Sequence, residues 1–270
     1  MRHSIPFYKM VASGNEFVVV DNRRGIVKDP HAFTRKICRL HQGIGADGVL
    51  LFESSKKANF KMRILNLDGS EAAACGNGFR CIALYAHDVL KYSSRMNFES
   101  GSGLIEAQVG QKNSVKVQLV KPRIFEMDSV IEVRKHRLHY TFLDTGVPHV
   151  VVFVKDIEKA EVLEVGRAIR HHAHFQPFGT NVNFVEVRGR KEISVRTYER
   201  GVENETLACG TGSTASAVVS VLKGHTELPV TVLTNGGEKL RIDMRKKGTE
   251  IAKVFLEGQA QFVYKGEYFQ

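Results

Sequence analysis

Ala74-Cys75-Gly76-Asn77-Gly78 and Ala208-Cys209-Gly210-Thr211-Gly212 share the pattern Ala-Cys-Gly-x-Gly, and their cysteines lie 134 positions apart. Each opens onto a stretch of helical character, Phe79 to Lys91 in one case and Ser213 to Lys223 in the other. The offset extends outward. Gly14-Asn15-Glu16-Phe17-Val18-Val19-Val20 aligns with Gly146-Val147-Pro148-His149-Val150-Val151-Val152 at 132 positions. Gly45-Ala46-Asp47 aligns with Gly179-Thr180-Asn181 at 134, and Arg63 and Asn66 align with Arg196 and Glu199 at 133. Four landmarks in one order at nearly one spacing define two copies of a unit of about 130 residues, an ordinary domain size and far longer than a solenoid repeat. Two such copies about an approximate two-fold axis are expected to bring the two Cys-Gly helix starts to one cleft, a common place for a ligand.

Composition narrows the class. The 270 residues are 43% hydrophobic, enough for a large core, and strand and helix patterns both occur, so a mixed α/β class is expected. No apolar run approaches the roughly 20 residues of a membrane span, and the first residues hold no apolar signal core. A soluble, cytoplasmic protein is expected, without a membrane partner. The net charge of +10 raises nucleic-acid binding. The basic residues are dispersed, however, with only the short runs Arg134-Lys135-His136-Arg137 and Arg245-Lys246-Lys247. No nucleic-acid partner is expected; attraction of small anionic substrates is the milder use of the charge.

Taken in order, Phe7 to Met10 and Phe17 to Asp21 read as strands about a turn that contains Asn15. Pro30 to Leu40 reads as a helix from His31, Phe33, Ile37 and Leu40. Gly43 to Gly48 reads as a flexible loop without the Lys-Ser/Thr end of a P-loop. Lys121-Pro122 marks the crossing into the second half. There Glu161 to His172 reads as a helix, Val195 to Arg200 as the strand delivering Glu199 and Arg200, and the segment after Cys209 as a helix apolar on nearly all sides. Arg170-His171-His172-Ala173-His174 reads as a helix end rather than a metal site. The domains are expected as 1–119 plus 261–270, and 120–260, with the last strand returning to the first.

The four cysteines, at 38, 75, 81 and 209, show no C-x-x-C spacing. Cys38 and Cys81 lie in apolar patterns and read as small buried hydrophobes. Cys75 and Cys209 stand at helix starts, where free backbone N–H groups favour a thiolate and bind a carboxylate. One thiolate removing a proton from one face of a carbon, with the other thiol delivering one to the opposite face, inverts an α-carbon. Helix N-termini aimed at the carboxylate stabilise the carbanion. Two alternatives stay open: small buried residues without chemistry, and a Cys75–Cys209 disulfide.

These residues resemble the diaminopimelate epimerase family. The run Asn66-Leu67-Asp68-Gly69-Ser70 through Ala74-Cys75-Gly76-Asn77-Gly78 is similar to its first signature. Ser13-Gly14-Asn15-Glu16-Phe17, Gly45-Ala46-Asp47-Gly48, Gly146-Val147-Pro148-His149, Gly179 to Phe184, and Glu199-Arg200-Gly201 through Gly212 match in order. The resemblance implies two pseudo-symmetric domains, each a curled, mostly antiparallel sheet around a central helix. It implies a cofactor-independent, metal-free isomerase that interconverts LL- and meso-diaminopimelate for lysine and peptidoglycan synthesis, working as a homodimer. Cys75 and Cys209 take the acid/base roles. Asn15, Asn66, Asn181, Glu199 and Arg200 hold the distal end of the substrate, and Gly76-Asn77 and Gly210-Thr211 bind the reacting carboxylate. His149 and Glu199 tune the thiols or orient the reacting amine.

Three positions depart from commoner members: Val147 in place of Asn, Gly48 in place of Gln, and one more residue in Val202-Glu203-Asn204-Glu205-Thr206. They bear on the substrate rather than on the two-thiol chemistry. A related two-cysteine racemase acting on another amino acid, such as proline, is the alternative.

Overall fold

In the computed structural model, residues 4–134, 136–247 and 250–269 are described. Lys135, in the first of the two basic runs, lies outside them. The chain forms two compact units, Met1–Gln118 with Glu257–Gln270, and Leu119–Leu256. Each is mixed α/β, and both follow one plan.

The first unit begins with the hairpin β1 (Ser4–Ala12) and β2 (Asn15–Asp21). Ser13 and Gly14 form its turn, with φ of 49° and 79°. Asn15 therefore opens β2, paired with Ala12, rather than sitting in the turn. Helix α1 (Pro30–Ile37) starts where the Asp29 carboxylate accepts from Ala32 N–H, with Pro30 in the first turn. It stops short of Leu40, which is 74% exposed, because the chain turns away through the loop to Gly43. Then follow β3 (Gly48–Glu53), β4 (Phe60–Asn66), the short β5 (Glu71–Ala72), α2 (Gly76–Asp88), β6 (Arg95–Ser100), β7 (Gly103–Val109) and β8 (Ser114–Leu119).

In this unit β2–β3 and β4–β6 are parallel, whereas β1–β2, β3–β4, β4–β5, β6–β7 and β7–β8 are antiparallel. Phe17 to Val20 are buried in succession because both sheet faces are covered. Val18 and Val20 join Phe33 and Ile37 of α1 in one cluster. Helix α2 meets β1, β2, β3 and β7 and is buried without a break from Asn77 to Ala86. The sheet wraps this central helix. Cys81 in α2 and Cys38 after α1 are buried free thiols.

The second unit repeats the plan with β9 (Arg123–Val133), β10 (His136–Asp144), β11 (Pro148–Phe153), α3 (Val162–Arg170), β12 (Asn181–Gly189), β13 (Glu192–Glu199), β14 (Asn204–Thr206), α4 (Gly210–Leu222), β15 (Val230–Thr234), β16 (Lys239–Lys247) and β17 (Glu250–Gln259). Strands β11–β12 and β13–β15 are parallel, as β2–β3 and β4–β6 are. Val150 and Val152 join Val165 and Ile169 of α3 in one cluster. Helix α4 is buried from Gly212 to Ser220, as its apolar surround requires, and Gly224 ends it at φ 74°. Strand β18 (Gln261–Phe269) pairs with β1 in the first unit.

One ion pair marks the duplication. Arg63 grips the Glu71 carboxylate through Nε and Nη2 at 3.0 and 2.7 Å. Arg196 grips Glu205 through the same atoms at 2.6 and 2.7 Å. Each pair ties a long strand to the short strand that leads into a central helix.

Candidate functional site

Cys75 and Cys209 are the N-caps of α2 and α4. Both adopt extended backbone, with φ/ψ of −154°/109° and −128°/108°. Each thiol accepts the N–H three residues on, from Gly78 at 3.4 Å and from Gly212 at 3.3 Å. The usual caps are Ser, Thr, Asp and Asn. Two thiols in their place, with the same geometry, are a chemical choice rather than a capping one.

The helix N-termini do not lower the thiols as their positions alone suggest. Burial pushes Cys75 up, against the N–H groups of Gly78 and Asn77 and the charge of Arg80. Cys209 is pushed up to about 12, by burial first and then by the Glu199 carboxylate. Lost hydration outweighs the helix ends in the free protein. Both residues are half-buried.

Around Cys75, Asn77 is 7% exposed, and its Nδ2 donates to Asn15 Oδ1 over 2.5 Å. Asn15 Nδ2 donates to Asp47 Oδ2 over 3.2 Å. Asn66 ends β4, and its amide donates to Ser70 Oγ over 3.0 Å. Gly48 leaves no room for Gln without movement, since a Cβ there would overlap the Leu65 carbonyl oxygen.

Around Cys209, the hydroxyl of Thr211 lies 3.5 Å from the sulfur. Glu199 is the last residue of β13, and burial raises its pKa. Arg200 follows in the turn rather than in the strand and donates from Nη1 to Phe178 O over 2.9 Å. Asn181 is 4% exposed and braces this turn: Oδ1 accepts Arg200 N–H, and Nδ2 donates to Pro148 O, both over 2.9 Å. Arg200 and Val147 also line a cavity of about 500 Å³, walled by Phe125, Phe142, Phe175 and Phe178. The longer turn after Arg200 is accommodated by Gly201 and Glu203, at φ 94° and 57°.

His149 is fully buried, held neutral with a pKa of about 3 by burial and by the Arg200 charge. Asn183 Nδ2 reaches both Val150 O, at 2.9 Å, and His149 Nδ1, at 3.1 Å, and Asn183 Oδ1 accepts the Thr197 hydroxyl. The Val150 carbonyl fixes the amide orientation, so His149 Nδ1 accepts and Nε2 carries the proton. Among the described residues that Nε2–H meets no hydrogen-bond partner.

Sequence reasoning assigns no role to Asn183, Arg80 or Asp47. Asn183 has a signal: it is a second Asn two places after Asn181, on the same strand face within a buried apolar run. Two histidines of the Arg170–His174 run turn to carboxylates, His171 to Glu203 at 3.4 Å and His174 to Glu126 at 2.6 Å, while His172 Nδ1 accepts the His174 N–H over 3.2 Å. Among the described residues no group of three or more His, Cys, Asp or Glu side chains could hold a metal.

A duplicated α/β unit with a cysteine capping the central helix of each half defines a class of two-cysteine isomerases. Comparison with known proteins narrows the class. The diaminopimelate epimerase family model matches residues 7–125 and 141–263. The diaminopimelate epimerase of Aquifex aeolicus (strain VF5) is 45% identical over 96% of this chain and 96% of its own. That of Methanocella arvoryzae (strain DSM 22066 / NBRC 105507 / MRE50) is 41% identical over 97% and 96%. The chain belongs to the diaminopimelate epimerase family, and with it to the isomerases. Solved structures share the fold at low identity. A phenazine biosynthesis protein of the PhzF family from Bacillus anthracis matches with TM-score 0.74 at 14% identity, covering 98% of this chain and 99% of its own. A hydroxyproline epimerase from Agrobacterium vitis matches with TM-score 0.71 at 15% identity, covering 100% and 94%.

Proposed function

We propose that this chain is a diaminopimelate epimerase that inverts one α-carbon of 2,6-diaminopimelate, with Cys75 and Cys209 as its two acid/base groups. The matched N-cap geometry of the two cysteines is the observation that carries the assignment. One thiolate takes the α-proton and becomes a thiol. The other thiol gives its proton to the opposite face and becomes a thiolate, so atoms and charge balance and the two roles are exchanged. Negative charge developing on the substrate carboxylate meets the N–H groups of Gly76-Asn77 and Gly210-Thr211. His149, neutral, serves as a donor through Nε2–H, and Glu199 tunes Cys209. Asn15, Asn66, Asn181, Glu199 and Arg200 select the distal end. No cofactor or metal is invoked.

The raised thiol pKa values support a site completed by its substrate. Substrate ammonium and carboxylate groups bring charge that the free site lacks, and excluded water strengthens each N–H contact.

The proposal extends to a cytoplasmic homodimer in lysine and peptidoglycan synthesis. Among the described residues no helix is long and apolar enough to cross a membrane. Val263, Tyr264 and Phe269 on β18 are 56%, 45% and 61% exposed, an apolar row suited to a second copy. Light scattering showing a monomer at micromolar concentration would remove the dimer.

The deciding experiment is proton exchange in deuterated water, followed by NMR, with LL-diaminopimelate and separately with proline, lysine and glutamate. Deuterium at one α-carbon of diaminopimelate, with meso product, supports the assignment. Exchange with proline alone transfers the two-thiol chemistry to another substrate, and exchange with none ends it.

A further inference from the structure

We propose that Arg80 and Asp47 are positioning residues that fix, from opposite ends, the side-chain amides of Asn77 and Asn15. The inference rests on the assignment of those two asparagines to substrate binding.

Arg80 lies in α2, five residues after Cys75, and is wholly buried. Its Nη2 donates to Asn77 Oδ1 over 2.6 Å and to the Ser13 hydroxyl over 2.5 Å. A guanidinium has donors only. The carbonyl of Asn77 must therefore face Arg80, and its amide nitrogen must face Asn15 Oδ1. Asn15 in turn presents its nitrogen to Asp47 Oδ2, which also accepts Glu16 N–H over 2.9 Å. A carboxylate accepts only. The chain of contacts runs from a donor-only end to an acceptor-only end. Flipping either amide sets oxygen against carboxylate or N–H against N–H. Both asparagines are thus left with an N–H to offer, the complement of an anionic ligand.

This chain belongs to the first half alone. At the equivalent places, 134 positions on, the second half has Thr211 for Asn77 and Thr214 for Arg80, and the Thr214 hydroxyl donates to Gly210 O over 2.8 Å. Taking a guanidinium out of water is costly, so its presence in one copy only calls for a use that helix packing does not supply. The two terminal charges also act on Cys75 with opposite signs, Arg80 favouring its thiolate and Asp47 opposing it. The other groups acting on this thiol are the N–H groups of Gly78 and Asn77.

The test uses Asp47→Asn, nearly isosteric and neutral, and Arg80→Met, with Arg80→Lys as the conservative partner. Two readouts are taken: KM and kcat for diaminopimelate, and the pH dependence of Cys75 alkylation by iodoacetamide, in a Cys209→Ser background without substrate. Asp47→Asn is expected to raise KM at least five-fold, with a smaller change in kcat, and to move the alkylation profile to lower pH. Arg80→Met is expected to raise KM and move the profile to higher pH, and Arg80→Lys to restore the profile more than KM. Should Arg80→Met fail to fold, the Asp47→Asn and Arg80→Lys results decide. Unchanged KM in folded Asp47→Asn, or profiles moving in the same direction in Asp47→Asn and Arg80→Met, overturns the proposal. A wild-type protein inert toward diaminopimelate removes the substrate assignment instead, and the alkylation profiles still test the two charges.

Discussion

The side-chain amide of Asn183 donates to Nδ1 of His149 over 3.1 Å and leaves the imidazole proton on Nε2. That contact makes His149 a donor rather than a base, and its pKa of about 3 keeps it neutral throughout the working range. Stability follows from the same shift. Below about pH 6.5, the ordinary histidine value, the unfolded chain binds a proton at this position that the folded chain does not. Stability contributed here is therefore fully present above about pH 6.5, falls as pH drops, and is lost through about pH 3. Between about pH 6.5 and 5 unfolded carboxylates are still mostly ionised, so in this window the difference between wild type and a His149 variant reports on that imidazole. Melting temperature should fall on acidification across it, and His149→Gln should flatten that slope. An equal slope in the variant would contradict the buried neutral imidazole.

Glu199 raises Cys209, and the substitution Glu199→Gln removes that charge while keeping the shape. Cys209 should then react faster with iodoacetamide at pH 9, while turnover of diaminopimelate falls. A more reactive thiol in a slower enzyme separates the electrostatic role of Glu199 from general damage. Slower alkylation in the variant would show that the carboxylate does not oppose the thiolate.

Replacing either helix-capping thiol with Ser separates fold from chemistry. Serine is a preferred N-cap, so the Gly78 and Gly212 N–H groups keep an acceptor and melting temperature should hold or rise. Inversion should drop by about 10²–10⁴-fold or more, the usual contribution of a general acid or base. Neither thiol can serve both faces, so Cys75→Ser and Cys209→Ser should be similarly poor. Near-normal turnover in one of them would sink the two-thiol mechanism.

Much of this was legible in the chain because the duplication preserves chemistry as well as pattern. The cysteine spacing placed the two caps, and the repeat placed Arg63 opposite Arg196; the ion pairs these arginines make, with Glu71 and Glu205 at the same 134-residue offset, emerge only in the structure. The run Phe17 to Asp21 read as a strand, and the structure adds that Phe17 to Val20 are buried on both faces. What was not legible depends on who stands beside whom. The thiol pKa values rise because burial exceeds the helix-end effect, a balance that only the surroundings decide. Arg80 read as one more basic residue of a chain with net charge +10, yet it is buried against Asn77 and Ser13. Leu40 continued a helical stripe that the loop to Gly43 cuts off.

The last prediction concerns Gly212, the third residue of α4. Its Cα faces the Asn183 side chain so closely that a Cβ would overlap Oδ1 and lie 3.2 Å from the sulfur of Cys209. In an open helix Gly→Ala stabilises by about 1 kcal/mol. Here the added methyl must displace Asn183, which holds both His149 and the Thr197 hydroxyl. Overpacking at such a site costs about 1–3 kcal/mol, so the net change for Gly212→Ala should be destabilising despite better helix propensity. Turnover should fall further than stability, because the displaced amide frees the His149 imidazole to turn. Gly189→Ala is the control: no atom lies within 4 Å of its Cβ position. Urea midpoints and turnover for the pair should diverge, with Gly189→Ala near wild type. A stabilised, fully active Gly212→Ala would mean that the Asn183 amide can move without consequence, and the assigned histidine tautomer would lose its support.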